Sequence, residues 1–146
     1  YTNISSYNRR DKKMLEFIKN DINSYIGRKF EKICIEYLKT AKPINFTLIG
    51  KQWGKFKGET GKNTYEVDLV ALNEQRKDIL FCECKWQDNV NAERIFSELK
   101  EKSTYVQWHN ETRKEHFCII AKSFKKKLDT EQCLCFDLKD IGKNLL

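Results

Sequence analysis

The chain has 146 residues and a net charge of +7, from 28 lysines and arginines against 21 acidic residues. That length predicts one domain with a single core. The basic balance suits a nucleic-acid partner, but it suits an ordinary lysine-rich surface as well. The longest apolar runs, residues 79–82 and 117–121, are far too short to span a membrane. We therefore expect no membrane association and a cytoplasmic location.

The N-terminal part of the sequence is predicted to be an extension. The chain starts at Tyr1 rather than Met, so we interpret residues 1–23 as a short helix that links a missing upstream region to a domain over residues 24–146. Apolar positions recur at helical spacing over residues 11–22 and again over 25–38. Two residues that favour helix caps, Asn23 and Ser24, predict a break between two helices.

The second predicted helix carries an acidic residue near a glycine. Helical side chains lean toward the N-terminus, so Glu31 would lie over Gly27, whose missing side chain leaves room for a metal ion, water or phosphate. The alternative is that Glu31 forms an ion pair with a lysine in solvent. The helix alone leaves both interpretations open.

A strand is predicted over residues 46–49, continuing over 53–56, and it overlaps a segment of lysines, aromatics and glycines at residues 51–62. Such a mixture can grip a phosphate backbone and stack on bases. It is equally typical of a hairpin tip whose aromatic side chains cover the core. The candidate nucleic-acid contacts are Lys51, Trp53, Lys55, Lys57 and Lys62.

Two strand-like runs, residues 64–72 and 78–86, are joined by a four-residue turn and predict a β-hairpin. With Asn73 opposite Asp78, alternation places one apolar set on a single face, which would pair Val67 with Cys84. The other face is apolar near the turn and charged at its open end.

At that open end, the same pairing places Asp68 opposite Glu83 and Glu66 opposite Lys85. Two carboxylates whose charges approach to about 4 Å repel by roughly 4 kcal/mol at an effective dielectric of 20. A divalent metal ion would offset this repulsion. The alternatives are that Lys85 is an ordinary solvated strand end and that Glu66 forms a strand-edge salt bridge.

Beyond the hairpin, the sequence predicts a helix over residues 92–108, strands over 115–121 and 132–136, and a short helix over 138–143. The order helix, three strands, helix, strand predicts an α/β fold with a mixed central sheet flanked by helices. A basic run separates the last two strands, and it adds four candidate nucleic-acid contacts: Lys122, Lys125, Lys126 and Lys127.

Six cysteines include two Cys-x-Cys pairs, at residues 82–84 and 133–135. Structural zinc usually takes ligands two to four residues apart in turns, whereas these pairs lie in apolar strand-like runs. We interpret them as small buried hydrophobes.

The spacing of Asp68 before Glu83-Cys84-Lys85, with the acidic Glu31 upstream, resembles the motif of the PD-(D/E)XK nuclease superfamily. Val67 stands where that motif usually has proline. Four segments together resemble the nuclease-like C-terminal domain of archaeal, DEXX-box P-loop ATPases: residues 27–31, 52–54, 66–71 and 83–86. The resemblance implies a restriction-endonuclease-like core of order αβββαβ.

The resemblance also implies roles for particular residues. Asp68 and Glu83 would bind Mg²⁺ or Mn²⁺, with the Cys84 carbonyl as a further ligand. Lys85 would hold the attacking water and stabilise charge on the phosphate. Two more carboxylates would assist, Glu31 from the helix and Glu66 beside the lysine.

The expected function is therefore metal-dependent hydrolysis of DNA phosphodiester bonds, in a domain of a larger ATPase-linked protein. DNA and an upstream ATPase domain are the expected partners, and a homodimer would suit duplex cutting. The alternative is a non-cleaving DNA-binding or regulatory module on the same scaffold. A third interpretation is a protein-interaction domain with a degenerate site.

Overall fold

The computed structural model describes residues 2–56, 63–128 and 130–145. Its helices are α1 (Thr2–Ala41), α2 (Ala92–Ser103) and α3 (Leu138–Leu145). Its strands are β1 (Leu48–Lys55), β2 (Thr64–Asn73), β3 (Asp78–Lys85), β4 (Val90–Asn91), β5 (Lys114–Ala121), β6 (Phe124–Lys126) and β7 (Cys133–Phe136). Two predicted nucleic-acid contacts, Lys57 and Lys62, lie outside the described residues. None of the described helices combines the length and the apolar character needed to cross a membrane.

The central sheet has five strands in the order β1-β2-β3-β5-β7. β1, β2 and β3 pair antiparallel, whereas β5 and β7 continue the sheet parallel to β3. The change of direction follows from α2, because a helical crossover returns the chain to the end of the sheet where β3 began. The predicted α/β class with a mixed sheet and flanking helices is confirmed. β4 and β6 form a separate parallel pair.

The core occupies both faces of the sheet. On one face, α1 and α3 contribute Phe30, Cys34, Tyr37, Leu38 and Ile141, which pack on alternate residues of β2, β3 and β5. On the other face, α2 contributes Ile95, Phe96 and Leu99. All six cysteines are free, and Cys34, Cys82 and Cys118 lie within the first face as small buried side chains.

Helix α1 is continuous, so the predicted break at Asn23 and Ser24 is wrong. Asparagine and serine cap a helix when it starts beside them, but in an exposed helix interior each costs only a few tenths of a kcal/mol relative to better helix formers, up to about 0.7. Without a proline, these residues do not end the helix. The described part of the predicted extension, residues 2–23, is therefore not a separate short helix, because it continues directly into the helix that packs on the sheet.

Helix α2 ends at Ser103, earlier than the predicted end at residue 108. The buried guanidinium of Arg113 explains the early end. It donates hydrogen bonds to the carbonyl oxygens of Ser103, at 2.9 Å, and Val106, at 2.7 Å. It also reaches the Trp108 carbonyl at 3.1 Å, so it replaces the helical donors that these carbonyls would otherwise need.

Candidate active site

The hairpin of β2 and β3 pairs as predicted near its turn, from Asn73 opposite Asp78 to Leu69 opposite Cys82. Beyond that point, the regular pairing stops. The backbone N–H of Cys84 donates instead to Oδ2 of Asp68, at 2.9 Å. The predicted pairing of Asp68 with Glu83 is therefore wrong as a backbone register, and the two strands separate at the end where the charged residues lie.

A β-bulge in β2 explains the separation. The register of β1 and β2 shifts by one residue between Gly50 and Gln52, so Lys51 faces two residues of β2, Asp68 and Leu69. Asp68 therefore lies on the same side of the sheet as Leu69, which packs in the core beneath α1. The extra residue turns Asp68 toward this helix.

The bulge also moves the neighbours of Asp68. Val67 packs with Val70 and Phe81 on the α2 face, so its predicted place on the opposite face with Cys84 is wrong. Glu66 forms a 2.6 Å ion pair with Lys51 rather than with Lys85. A one-residue bulge reverses the alternation of every residue before it.

On the α1 side, Asp68 meets a second carboxylate, Glu31. Burial and the charge of Asp68 raise the pKa of Glu31, against the effect of Lys51, whose Nζ lies 3.9 Å from Glu31 Oε2. The hydrogen bond with Glu66 is the largest effect that raises the pKa of Lys51. One lysine is thus shared by two carboxylates, so the ion pair that was the alternative for Glu31 is present, and a role of Glu31 toward a metal ion or phosphate stays a prediction.

On the α2 side lies Glu83, whose side chain is only 4% exposed. Its Oε1 accepts a 2.9 Å hydrogen bond from Lys102 of α2, and its Oε2 lies 3.5 Å from Nζ of Lys85. Burial and the charge of Asp68 nevertheless raise the pKa of Glu83 to about 7, against the two lysines. Asp68 therefore acts electrostatically on Glu31 and on Glu83.

A cleft of about 650 Å³ opens where the strands separate. Its walls include Glu31, Asp68, Cys84 and Lys85. Gly27 also lines it, and a Cβ at that position would meet open space, as the predicted room beside Glu31 requires. The cleft is large enough to admit part of a nucleotide chain.

The oxygen donors at this cleft fit a hard divalent cation. The Cys84 carbonyl faces the gap next to Asp68, because the N–H and C=O of a strand residue point to the same side and its N–H binds Asp68. The charge of Asp68 raises the pKa of Glu31 and of Glu83, and a cation bound among these carboxylates would offset that repulsion. Within the described ranges, no three His, Cys, Asp or Glu side chains already form a metal cage. Magnesium needs few protein ligands because it keeps several waters.

The predicted nucleic-acid contacts divide into paired and exposed residues. Lys127 is held by Asp140, at 2.6 Å, and by Asp137, at 3.3 Å. Lys51 is engaged by the carboxylates described above. Lys122 lines the cleft, where it pairs with Asp88 at 3.3 Å, and its Nζ lies 5.1 Å from the ring centre of Trp86. The exposed members are Trp53, Lys55, Lys125 and Lys126.

Lys102 is a residue of the site that the sequence analysis did not single out. It follows Leu99 by three residues and Ile95 by seven, so helical periodicity places it on the buried stripe of α2. A lysine on an apolar stripe needs a partner, because burying an unpaired ammonium group is costly. The position of Lys102 on this apolar stripe was therefore the feature of the sequence that could have identified it as a site residue.

Comparisons with known proteins give a family and one relative. The profile of the family described as "Archaea bacterial proteins of unknown function", DUF234, matches residues 1–104. An uncharacterised protein of Methanocaldococcus jannaschii is 36% identical over 135 residues, which cover 88% of this chain and 28% of the relative. The chain thus spans between a quarter and a third of that relative's length. No solved structure matches the sequence significantly.

Proposed function

We propose that this chain, which belongs to the DUF234 family of archaeal and bacterial proteins, is a divalent-metal-dependent deoxyribonuclease domain. The observation that carries the proposal is that Asp68, which lines the cleft, acts electrostatically on the buried Glu83 at the open end of β2 and β3, with Lys85 3.5 Å from Glu83. These are the residues at which the sequence resembles the PD-(D/E)XK nucleases. The αβββαβ order of elements is the core which that resemblance implies.

The metal ion would be held by Asp68 and Glu83, with the Cys84 carbonyl as a further ligand. When bound, Mg²⁺ or Mn²⁺ would polarise a phosphodiester group and lower the pKa of a bound water. Glu31 would act at the same cleft directly or through water.

Lys85 would position the attacking water and stabilise charge that develops on the phosphate. Its ammonium group is partly exposed at the cleft, and Glu83 holds it from the sheet side. A preorganised cation at that position acts most strongly where charge develops in the transition state. Glu66 would act indirectly, by holding Lys51 near Glu31.

The change Asp68→Asn tests the proposal. It removes one charge but keeps an oxygen that can accept the Cys84 hydrogen bond, so the fold should survive. We expect cleavage of single-stranded, branched or duplex DNA in Mg²⁺ or Mn²⁺ to fall at least about 100-fold, a loss typical of removing one electrostatic partner of the transition state. Calorimetric titration with Mn²⁺ should show weaker binding.

Glu98→Gln is a matched control, because it removes an exposed carboxylate of α2 that pairs only with Arg94 among the described contacts. It should cleave and bind Mn²⁺ like the unchanged chain. If the unchanged chain neither binds Mn²⁺ nor cleaves any of these DNA forms, the nuclease proposal is wrong.

A non-cleaving DNA-binding module is the second candidate, and one observation favours it. Lys102 donates a hydrogen bond to Glu83 and Lys85 lies 3.5 Å from it, so two cations of the chain itself partly offset the charge of this carboxylate. This candidate predicts DNA binding that weakens with salt but is unchanged by Asp68→Asn and by removal of divalent ions.

The proposed partners are DNA and an ATPase domain elsewhere in a longer protein, and the proposed location is the cytoplasm. The M. jannaschii relative extends well beyond the matched 135 residues, so a longer protein has room for further domains. The ATPase itself rests on the sequence resemblance. Copurification of the full-length protein with ATP hydrolysis activity would test it.

A further inference from the structure

The N-terminal part of α1 extends beyond the core and carries apolar side chains to solvent. Residues 9–25 are exposed throughout, a length of about 25 Å. Leu15, Ile18, Ile22 and Tyr25 are 45–58% exposed. An isolated helix of this length is marginally stable in water, and most helices depend on packing of an apolar face. The exposed apolar side chains of residues 9–25 therefore indicate that this segment packs against another protein surface.

The apolar residues form a narrow seam. The spacing of Leu15, Ile18, Ile22 and Tyr25 alternates between three and four residues, which is the heptad pattern of a two-helix coiled coil. Met14 borders this seam, whereas Phe17 lies about 120° away around the helix.

The seam does not continue the core-facing side of α1. At about 100° per residue, it points roughly 125° away from Phe30, Cys34, Tyr37 and Leu38, which pack on the sheet. It points about 180° away from Gly27 and Glu31, which line the cleft. A helix bound to the seam would therefore leave the cleft open.

Charge at the two ends of the seam identifies its partner. One heptad step before Ile18 is Asp11, and one step after Ile22 is Lys29. Both are exposed, on the same line of the helix as the apolar residues. The seam is thus closed by an acid at one end and a base at the other. A second copy turned end to end matches this pattern.

We propose that two copies of this chain associate through an antiparallel pair of α1 helices centred on residue 20. In that register, Leu15 packs on Tyr25 of the second copy, Ile18 on its Ile22, and Asp11 forms an ion pair with its Lys29. Each contact occurs twice, as a two-fold axis requires.

A parallel pair would be less favourable, because it brings Asp11 to Asp11 and Lys29 to Lys29. The antiparallel arrangement also has space for the second helix. Beyond Lys29, the same side of α1 presents Lys32 and Ile33, which are exposed, so the N-terminal part of the second copy can lie along it.

The mass of the 146-residue chain in solution tests the proposal. Sedimentation equilibrium between about 1 μM and 1 mM, the range of weak to moderate association, should detect twice the chain mass of 17.4 kDa. Ile18→Glu/Ile22→Glu should raise the dissociation constant at least tenfold and lower the helical circular dichroism signal. Lys13→Glu/Asn20→Glu also adds two glutamates to exposed positions of α1 but away from the seam, and it should remain dimeric.

Charge reversal tests the register. Asp11→Lys alone and Lys29→Asp alone should each weaken the dimer, and the double change should restore its dissociation constant to within about threefold. A chain that is monomeric throughout the concentration range would overturn the proposal. The proposal would also be overturned if Lys13→Glu/Asn20→Glu weakened the dimer as much as Ile18→Glu/Ile22→Glu. Failure of the double change to rescue would overturn the antiparallel register. None of these results depends on cleavage of DNA.

Discussion

Glu83 must be ionised to bind a metal ion, but its buried position disfavours the ionised form. Its carboxyl group is buried beneath α2 between Lys102 and Lys85, yet burial and Asp68 still raise its pKa to about 7. In the metal-free chain, the ionised form is therefore unfavourable. Binding of a divalent cation would favour that form, so metal affinity should rise with pH through this range.

The raised pKa predicts how stability depends on pH. The unfolded-state pKa of Glu83 is near 4.5, and the folded-state pKa is about 7. Between these values, the folded chain holds a proton that the unfolded chain releases, so the free energy of unfolding falls as pH rises. In the unchanged chain, Glu83 should lower the free energy of unfolding by at most about 3 kcal/mol between pH 4.5 and pH 8. Glu83→Gln should abolish this decrease. Urea unfolding in EDTA at several pH values measures it.

The exposed Glu111→Gln is the control for this prediction and should follow the pH dependence of the unchanged chain. Added Mg²⁺ should stabilise the unchanged chain more at pH 8 than at pH 5. Parallel curves for Glu83→Gln and the unchanged chain would mean that Lys102 and Lys85 keep Glu83 ionised throughout.

Single residues of the site differ in how far the sequence reveals them. Motif spacing is enough to select Asp68, Glu83, Lys85 and Glu31 as candidates, because these positions depend on local strand and helix patterns. Lys51 was expected to contact DNA, but it lies among carboxylates because a bulge brings β1 against Asp68. Such a partner depends on tertiary register, which hydrophobic alternation does not encode.

At the scale of elements, β1 supports the site by pairing with β2, and the backbone of β1 lies close to a tyrosine ring of β2. Gly54 lies opposite Tyr65, and a Cβ on Gly54 would come within 2.9 Å of the tyrosine ring. That ring also accepts a hydrogen bond from Gln52 at its hydroxyl group, 3.2 Å away. A rigid aromatic ring cannot yield as a flexible side chain does.

Gly54→Ala should therefore destabilise the chain by about 1–3 kcal/mol, the usual cost of overpacking. Gly50→Ala is the matched control in the same strand, because a Cβ there meets open space. It should be neutral or slightly stabilising, since alanine restricts the unfolded chain. Thermal and urea unfolding of both variants measure the difference. Equal losses would mean that β1 tolerates no side chain at either position.

The elements themselves follow largely from the sequence. Alternation and turn residues predicted β2, β3 and β5 within one residue of their bounds at every end, and the sequence order predicted a mixed sheet. The continuous α1 was missed because Asn23 and Ser24 are read locally as caps. Whether such residues start a helix depends on the preceding segment, whose exposed seam gives no core-facing pattern.

At the scale of the whole molecule, exposed basic residues lie at both ends of the sheet, and some of them are beside the cleft. Lys122 lines the cleft, and the exposed Lys125 and Lys126 follow it on β6. At the other end, where β3 and β5 begin, Arg76 and Lys114 are also exposed. The net charge of +7 is therefore too coarse to locate a DNA surface. A DNA-binding surface has to be located from the position of each charged side chain relative to the cleft.

A backbone-binding surface at the cleft end predicts a specific salt dependence. Each lost phosphate contact lowers the slope of log K against log salt concentration by about 0.9. Lys125→Ala/Lys126→Ala should therefore reduce the slope for duplex DNA by nearly 2, as measured by fluorescence anisotropy without divalent ions. Arg76→Ala/Lys114→Ala removes the same charge from the turn end and should leave the slope almost unchanged. Equal reductions in both variants would mean that DNA responds to net charge alone, because a localised contact surface must distinguish the two ends of the sheet.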